Sequence, residues 1–344
     1  MKKDQTIVYC TYQDAPEHFF PGHPESPRRL ADLRGWLDDP PYPEMQWLDF
    51  SPATEAEVAL VHSRLLLSAL AAECDQGPHH FGSAPSYVTE ESLKAAFGAA
   101  GATLTLSRRI IAEGTGRGFA IVRPPGHHAH SDTSMGFCLL NNIAIAAADA
   151  VASGLSRVAI FDFDAHHGNG TEAIFFETPE VAYCSTHESG IYPGTGMTTT
   201  LPHAPGRIID VPLPPFAGDS AFQAVLNGVV RPWLIAFQPE MLFVSAGYDC
   251  HFSDPLTSLS LDTKGIFSLS KDLVVLADSF CDGKIVFVLE GGYDPLALKD
   301  NLQGSLAALS GNNDYPDHYG KGPDVYVNIK SELERLRKTH KIQE

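Results

Sequence analysis

The stretch Val158-Ala-Ile-Phe-Asp-Phe-Asp-Ala-His-His-Gly-Asn-Gly170 decides how this chain folds. It begins as an apolar run broken only by Asp162 and ends in carboxylates, imidazoles and glycines. A run that is apolar at odd and even positions alike suits a strand covered on both faces, the environment of a parallel sheet. Similar runs occupy residues 7–10, 119–122, 181–185, 241–246 and 285–289. Helical patterns lie between them at 27–37, 55–71, 91–113, 139–153, 220–237, 263–280 and 296–309. Strand, helix, strand in succession predicts βαβ units, hence an α/β fold around a parallel sheet. No repeat, low-complexity segment or Gly/Ser-rich linker divides the chain, so residues 1–344 are expected to form a single domain. Its core is expected at about 5–315 and a helical tail at about 325–344. Within the tail, Glu332-Leu-Glu-Arg-Leu-Arg-Lys-Thr-His-Lys341 reads as a charged amphipathic helix, packed on the domain or offered to a partner.

Composition narrows the possibilities. Of 344 residues, 44% are hydrophobic and 19% charged, which supports a large core and excludes wholesale disorder. Lys and Arg number 24 against 42 Asp and Glu, a formal charge of −18 that argues against a nucleic-acid partner. No apolar stretch approaches the length of a membrane span. The run after Met1-Lys-Lys-Asp-Gln is too short for a signal-peptide core. The six cysteines are scattered, with no C-x-x-C pair, and read as reduced core residues. The expectation is a soluble cytoplasmic protein. Its 15 histidines hint at chemistry.

Polar clusters fall where strands end. They are Arg123-Pro-Pro-Gly-His-His-Ala-His130, Asp162-Phe-Asp-Ala-His-His-Gly-Asn-Gly170, Thr186-His187, Ala246-Gly-Tyr-Asp249 and Glu290-Gly-Gly-Tyr-Asp294. Open α/β sheets bind ligands beyond the carboxyl ends of their strands, so five clusters on one edge describe one site. In extended backbone Asp164 and His166 point the same way, and both can reach one ion. Asp249, at the end of its own strand, is the natural third ligand. Two carboxylates and one imidazole leave an open coordination position, the pattern of a catalytic zinc. Each feature alone has a duller reading as a loop cap or partly exposed loop histidine; the argument rests on their combination.

Together, Pro124-Pro-Gly-His-His-Ala129, Met135-Gly-Phe-Cys-Leu-Leu-Asn-Asn142, Asp162-Phe-Asp-Ala-His-His-Gly-Asn-Gly-Thr171, Tyr192-Pro-Gly-Thr-Gly196, Ser245-Ala-Gly-Tyr-Asp249 and Leu289-Glu-Gly-Gly-Tyr293 resemble the zinc-dependent histone deacetylase family. Asn169 gives the chain a flavour similar to class II and bacterial deacetylase-like amidohydrolases. The resemblance covers about residues 18–310. It implies an arginase-deacetylase domain with a central eight-stranded parallel sheet, and hydrolysis of Nε-acetyl-lysine to lysine and acetate. It also implies that Asp164, His166 and Asp249 hold Zn2+, although Fe2+ suits the same donors. His128 would be the general base and then acid, and His127 the second imidazole stabilising the transition state. Asp162 would orient His127 and Asn169 would orient His128, so the two histidines should differ in pKa. Tyr293 would donate its hydroxyl to the substrate carbonyl. Some family members carry His there and are poor deacetylases; this chain keeps Tyr.

By the same resemblance Phe137, Gly136, Tyr192 and Leu256 form the substrate tunnel, with the Tyr192 hydroxyl at its rim in place of the commoner Phe. Structural K+ would sit among Asp162, Asp164, His166, Ser185 and Thr186, with a second site near Phe175, Thr178 and Val181. Arg29 reads equally as lining an acetate exit or as a helix-start ion pair. The expected partner is an acetylated lysine peptide or protein, or an acetylated small amine. Leu256, where polyamine-selective relatives place a carboxylate, favours acetyl-lysine, whereas Asp254, Glu17 and Glu25 would add negative charge if they reach the mouth. A non-catalytic acetyl-lysine-binding protein is disfavoured because every expected catalytic group is present. An arginase-like dinuclear centre would need further carboxylates where this chain has His167 and Asn169, so one ion is expected there.

Overall fold

Eight strands align in parallel in one sheet: β1 Val8–Gln13, β2 Met45–Trp47, β3 Arg117–Val122, β4 Val158–Asp162, β5 Val181–Glu188, β6 Ile208–Leu213, β7 Met241–Ala246 and β8 Ile285–Leu289. Their spatial order is β2-β1-β3-β8-β7-β4-β5-β6, every pair parallel. This computed structural model describes residues 7–82, 86–197, 204–323 and 325–342. The expected start of the core at 5–6 and the end of the tail at 343–344 lie outside them.

The period-2 alternation of side chains along a strand splits the core into two layers. Phe119, Ile121, Ala159, Phe161, Leu242, Val244, Ile285 and Phe287 face one layer. Ala120, Val122, Val158, Ile160, Phe243, Val286 and Val288 face the other. Helices α1 Arg64–Cys74, α2 Ser92–Glu113, α3 Asn142–Ala152, α4 Asn169–Phe175, α5 Asp219–Val225, α6 Thr263–Phe280 and α7 Pro295–Leu309 follow the strands. On the second layer α2 and α3 present Ala99, Ala102, Leu106, Ile110, Ile143 and Ala147; α6 and α7 close the first with Ile266, Leu273, Leu302 and Leu306. Asn141, Asp262 and Asp294 start α3, α6 and α7 by accepting from backbone N–H groups that lack an intrahelical partner.

The fold departs from the sequence expectations in several places, among them a short antiparallel pair at His79–Phe81 and Ser86–Val88. Strands β2 and β6 are additions. Both are sheet edges, where one side of the ladder is unpaired and polar residues or Pro212 are tolerated, so neither has a continuous apolar signal. The segment expected as one helix at 55–71 is a single turn, Glu55–Val58, followed by α1, because the Ser63 hydroxyl accepts from Leu66 N and starts a new helix. Residues 27–37 form two 3-10 stretches, Pro27–Arg29 and Ala31–Leu37. After α5 the helix continues through a π turn, Leu226–Val230, into Arg231–Phe237. The tail helix α8, Lys330–His340, packs on the domain: Leu333 and Leu336 are buried, and Arg337 Nε donates to Gly228 O at 2.8 Å.

The chain passes from β3 to β4 across a gap later filled by β7 and β8. The four strands β3, β8, β7 and β4 are therefore neighbours, and their carboxyl ends open onto one crevice.

Candidate active site

The loop after β4 and the end of β7 bring Asp164, His166 and Asp249 together, with ligand atoms all within 4.8 Å of one another. His166 Nδ1 lies 3.3 Å from Asp164 Oδ1 and 2.8 Å from Asp249 Oδ2. The remaining carboxylate oxygens are committed: Asp164 Oδ2 accepts from Gly291 N at 2.8 Å and Asp249 Oδ1 from Ala165 N at 2.8 Å. Both aspartates are buried. Burial and the adjacent Asp164 charge push the Asp249 carboxyl up to about 6, the strain of two carboxylates sharing a dry site. A dication removes that repulsion, and one imidazole with two carboxylates is the donor chemistry of an open zinc site, so these residues fit one.

The loop after β3 supplies the histidine pair, with ring centroids 4.1 Å apart. His127 Nδ1 donates to Asp162 Oδ2 at 3.0 Å, an oxygen that also accepts from Tyr183 Oη at 3.0 Å. Burial opposes charge on His127, but the Asp164 and Asp162 carboxylates outweigh it and raise the imidazole to about 10. His128 is held far below the usual range by burial and by the charges of His127 and His166. Its Nδ1 donates to Asn169 Oδ1 at 2.8 Å. An amide oxygen only accepts, so His128 Nε2 is left with its lone pair. Asn169 is fixed in turn, since its Nδ2 donates to His130 Nε2 at 2.8 Å. The pair is thus held apart, His127 pushed toward its charged form and His128 toward its neutral one.

A cavity of about 220 Å3 leads to this cluster, lined by His127, His128, Gly136, Phe137, Asp164, His166, Tyr192, Leu256 and Tyr293 among others. Phe137 stands edge-on to Tyr293 at 5.7 Å and Tyr192 edge-on to His128 at 5.1 Å. Leu256, 41% exposed, is at the mouth. The expected catalytic, metal and tunnel residues therefore meet in one place. Asp162, Ser185 and Thr186 are also brought side by side: Asp162 pairs in register with Ser185, and Thr186 Oγ1 donates to Asp162 O at 3.3 Å.

Other expectations change. The Tyr192 hydroxyl, expected at the rim, is buried and has no hydrogen-bond partner among the described residues. Glu25 is buried in a bidentate pair with Arg123, at 2.7 and 2.8 Å. Asp254 turns inward, accepting from Tyr293 N at 2.7 Å and Leu256 N at 2.9 Å. Glu17 is exposed on a separate groove beside Lys94. None of the three lines the catalytic cavity, so the acidic rim considered for polyamines is not formed there. The carbonyls of Phe175, Thr178 and Val181, expected around a second potassium, converge instead on Arg207 Nη1 at 2.8 to 2.9 Å. A fixed guanidinium already fills that position. Arg29 does make an ion pair, 3.5 Å from Glu25, yet its main partners are Gly292 O at 2.7 Å and Glu290 O at 2.5 Å. Its guanidinium lies over the Tyr293 ring at 4.9 Å.

Two acids without an assigned role hold the site in shape. Glu290 Oε2 accepts from Gly126 N at 2.6 Å and His127 N at 3.1 Å, and its Oε1 from Ser245 Oγ at 3.1 Å. It ties the histidine loop to β7 and β8. Asp254 does the same for Tyr293 and the Leu256 turn. Their signal was present, since both stand in or beside strand-end clusters, but nothing local tells an inward carboxylate from a ligand.

Comparison with known proteins agrees with this geometry. Residues 23–309 match the histone deacetylase domain. The chain is 34% identical to histone deacetylase 14, chloroplastic, of Arabidopsis thaliana, covering 98% of this chain and 85% of that protein. It is also 34% identical to a probable deacetylase of Archaeoglobus fulgidus, covering 93% of each. The crystal structure of the HDA15 HD domain superposes with a TM-score of 0.82 at 31% identity, covering 91% of this chain and 92% of that one. A single α/β domain with these four adjacent strand ends is the scaffold of a hydrolase of the deacetylase and amidohydrolase type. The chain belongs to the histone deacetylase family. Among the described residues no helix is long and apolar enough to cross a membrane.

Proposed function

We propose that this protein is a zinc-dependent deacetylase that hydrolyses Nε-acetyl-lysine in a peptide or protein to lysine and acetate. The observation that carries the reading is one narrow cavity bearing the His128 and Tyr293 side chains, with the Asp164, His166 and Asp249 cluster beside them. Asp164, His166 and Asp249 would hold the ion; Fe2+ suits the same donors. Bound there, it supplies Lewis-acid polarisation of the amide carbonyl and lowers the pKa of a water.

The chain's own groups do the rest. Phe137 and Tyr192 clasp the aliphatic stem, burying methylenes at about 0.8 kcal/mol each. His128 Nε2 takes a proton from the attacking water as its oxygen bonds the carbonyl carbon. The Tyr293 hydroxyl donates to the carbonyl oxygen while negative charge builds, and His127, cationic against Asp162, stabilises that charge. His128 then returns the proton to the departing amine as the C–N bond breaks. Structural K+ at Asp162, Asp164, His166, Ser185 and Thr186 is part of the same proposal. The acyl-lysine preference rests on the apolar Leu256 at the mouth, with Asp164 of the metal cluster the only carboxylate among the described residues lining the cavity.

The test is a paired turnover assay of zinc-loaded protein on an acetyl-lysine peptide and an acetylpolyamine, with Tyr293→Phe as control. Peptide turnover at least tenfold faster supports the reading. Faster polyamine turnover overturns the substrate assignment, and no hydrolysis of either overturns the activity.

A further inference from the structure

His167 follows His166 in sequence, yet its side chain joins a different group. His166 Nδ1 faces Asp164 and Asp249, whereas His167 Nε2 lies 3.0 Å from Glu172 Oε2 and 3.1 Å from Asp210 Oδ1. The three side chains come from the loop after β4, from α4 and from β6, and their ligand atoms lie within 4.8 Å of one another. From this geometry we propose a second divalent-cation site, for zinc or a similar borderline metal, formed by His167, Glu172 and Asp210 and separate from the catalytic centre.

Two observations favour a cation over a plain ion pair. Despite the short distances, the buried His167 Nε2 and Asp210 Oδ1 make no hydrogen bond of acceptable direction among the described residues. Buried polar atoms left so are uncommon, and one ion shared by the three side chains would satisfy all of them. The other ring nitrogen is already committed, with His167 Nδ1 2.8 Å from Thr195 Oγ1. A metal-binding imidazole typically donates its second N–H in this way, which fixes the tautomer that offers Nε2 to the ion. Zinc bonds of about 2.1 Å in tetrahedral array space donors about 3.4 Å apart, a few tenths of an ångström from the two separations at His167 Nε2. Two carboxylates neutralise the dication, and the Glu172 and Asp210 side chains, 22% and 18% exposed, give it a path in.

Thr195 belongs to the turn that carries Tyr192, a wall of the catalytic cavity. A filled site locks the His167 Nδ1–H onto Thr195 and so steadies that wall.

The test counts metal and does not depend on the deacetylase reading. Protein stripped with chelator is dialysed against micromolar zinc and its bound metal measured. Wild type is expected to hold two equivalents, His166→Ala/Asp249→Ala one, and Glu172→Gln one. Co2+ in the His166→Ala/Asp249→Ala protein should show the intense visible bands of a tetrahedral site, and zinc should raise its thermal midpoint. Adding Glu172→Gln to that variant should abolish both effects. Glu172 is partly exposed, so its loss is tolerable to the fold; equal circular dichroism with and without the substitution checks this. A metal-free His166→Ala/Asp249→Ala protein, or an equal metal content with and without Glu172→Gln in that background, overturns the proposal whatever the catalytic centre holds.

Discussion

Replacing Gly136 by Ala tests whether the cavity wall sets the position of the His128 ring. Gly136 has φ +57°, and a Cβ built there would stand 2.4 Å from His128 Cδ2 and 2.9 Å from Tyr192 Cε1. Carbon atoms in contact prefer about 3.5 Å or more, so the imidazole must retreat by about 1 Å. A displacement of that size at a catalytic group costs about 100-fold in turnover. The left-handed backbone adds about 1 kcal/mol of strain for a residue with a Cβ. With an unfolding entropy of about 0.7 kcal/mol/K for a chain of this length, that strain lowers Tm by only about 1–2 °C. Gly114, at φ +73° with open space around its Cβ position, provides the control. Gly136→Ala should lose more stability than Gly114→Ala, by an overpacking cost of about 1–3 kcal/mol, and only Gly136→Ala should lose kcat on an acetyl-lysine peptide. A folded Gly136→Ala protein with kcat within threefold of wild type would refute the reasoning.

The remaining predictions concern single groups. Tyr293→Phe should keep its full metal content and lose about 100- to 1000-fold in kcat, as removal of an oxyanion donor does; wild-type turnover would end the oxyanion role. Asn169→Asp puts a carboxylate beside His128 and should move the acid limb of the kcat/KM–pH profile up by about one unit; an unmoved limb would show that His128 is not the group titrating. Leu256→Glu should shift preference toward acetylpolyamine over peptide by about tenfold through charge at the mouth, read as a ratio of kcat/KM values. His62 is buried and held down to about 4, its Nε2 accepting from Asn141 N at 2.8 Å. Above about pH 6.5 neither folded nor unfolded chain is protonated there, so its stabilisation is complete. As pH falls from 6.5 to 4 only the unfolded chain takes the proton, and stability drops by about 1.4 kcal/mol per pH unit. Thermal midpoints at pH 7 and pH 5 should differ less for His62→Gln than for wild type; an equal difference would exclude this histidine as the cause.

Much of the architecture was legible from the chain because it depends on local pattern. Strands β4, β7 and β8 are buried on both faces, so each shows as an apolar run interrupted at most by one polar residue near its carboxyl end. The edges β2 and β6 lack that signal, since half of their surroundings are solvent or loop. The interruption at Ser63 was equally hidden, because a helix period continues in register through a residue that starts a new helix. Helix 27–37 failed for a related reason, as Pro27 and Gly35 favour tighter, shorter turns than the apolar spacing suggests.

Site residues divide along the same line. Asp164 and His166 are two apart on one extended segment, and the order of the strand-end motifs places His127, His128, Asp249 and Tyr293 on one edge. These follow from period and order alone. Which carboxylates face the cavity does not. Asp254 and Glu25 look available for a substrate's charge in sequence, but the fold spends one on the Tyr293 amide and the other on Arg123. The Phe175, Thr178 and Val181 carbonyls likewise meet Arg207, about thirty residues away in sequence, rather than a free ion.

By itself the sequence determined the α/β class and the edge on which the polar strand-end clusters gather, since alternation, strand-end position and residue type are local properties; roles for the individual residues came from the resemblance to the deacetylase family. Strand order, the commitment of each buried acid and the His167 cluster were decided only by the tertiary structure. Those depend on register between strands up to about 170 residues apart in sequence, such as β3 and β8, and no local pattern records which distant donor a carboxylate will meet.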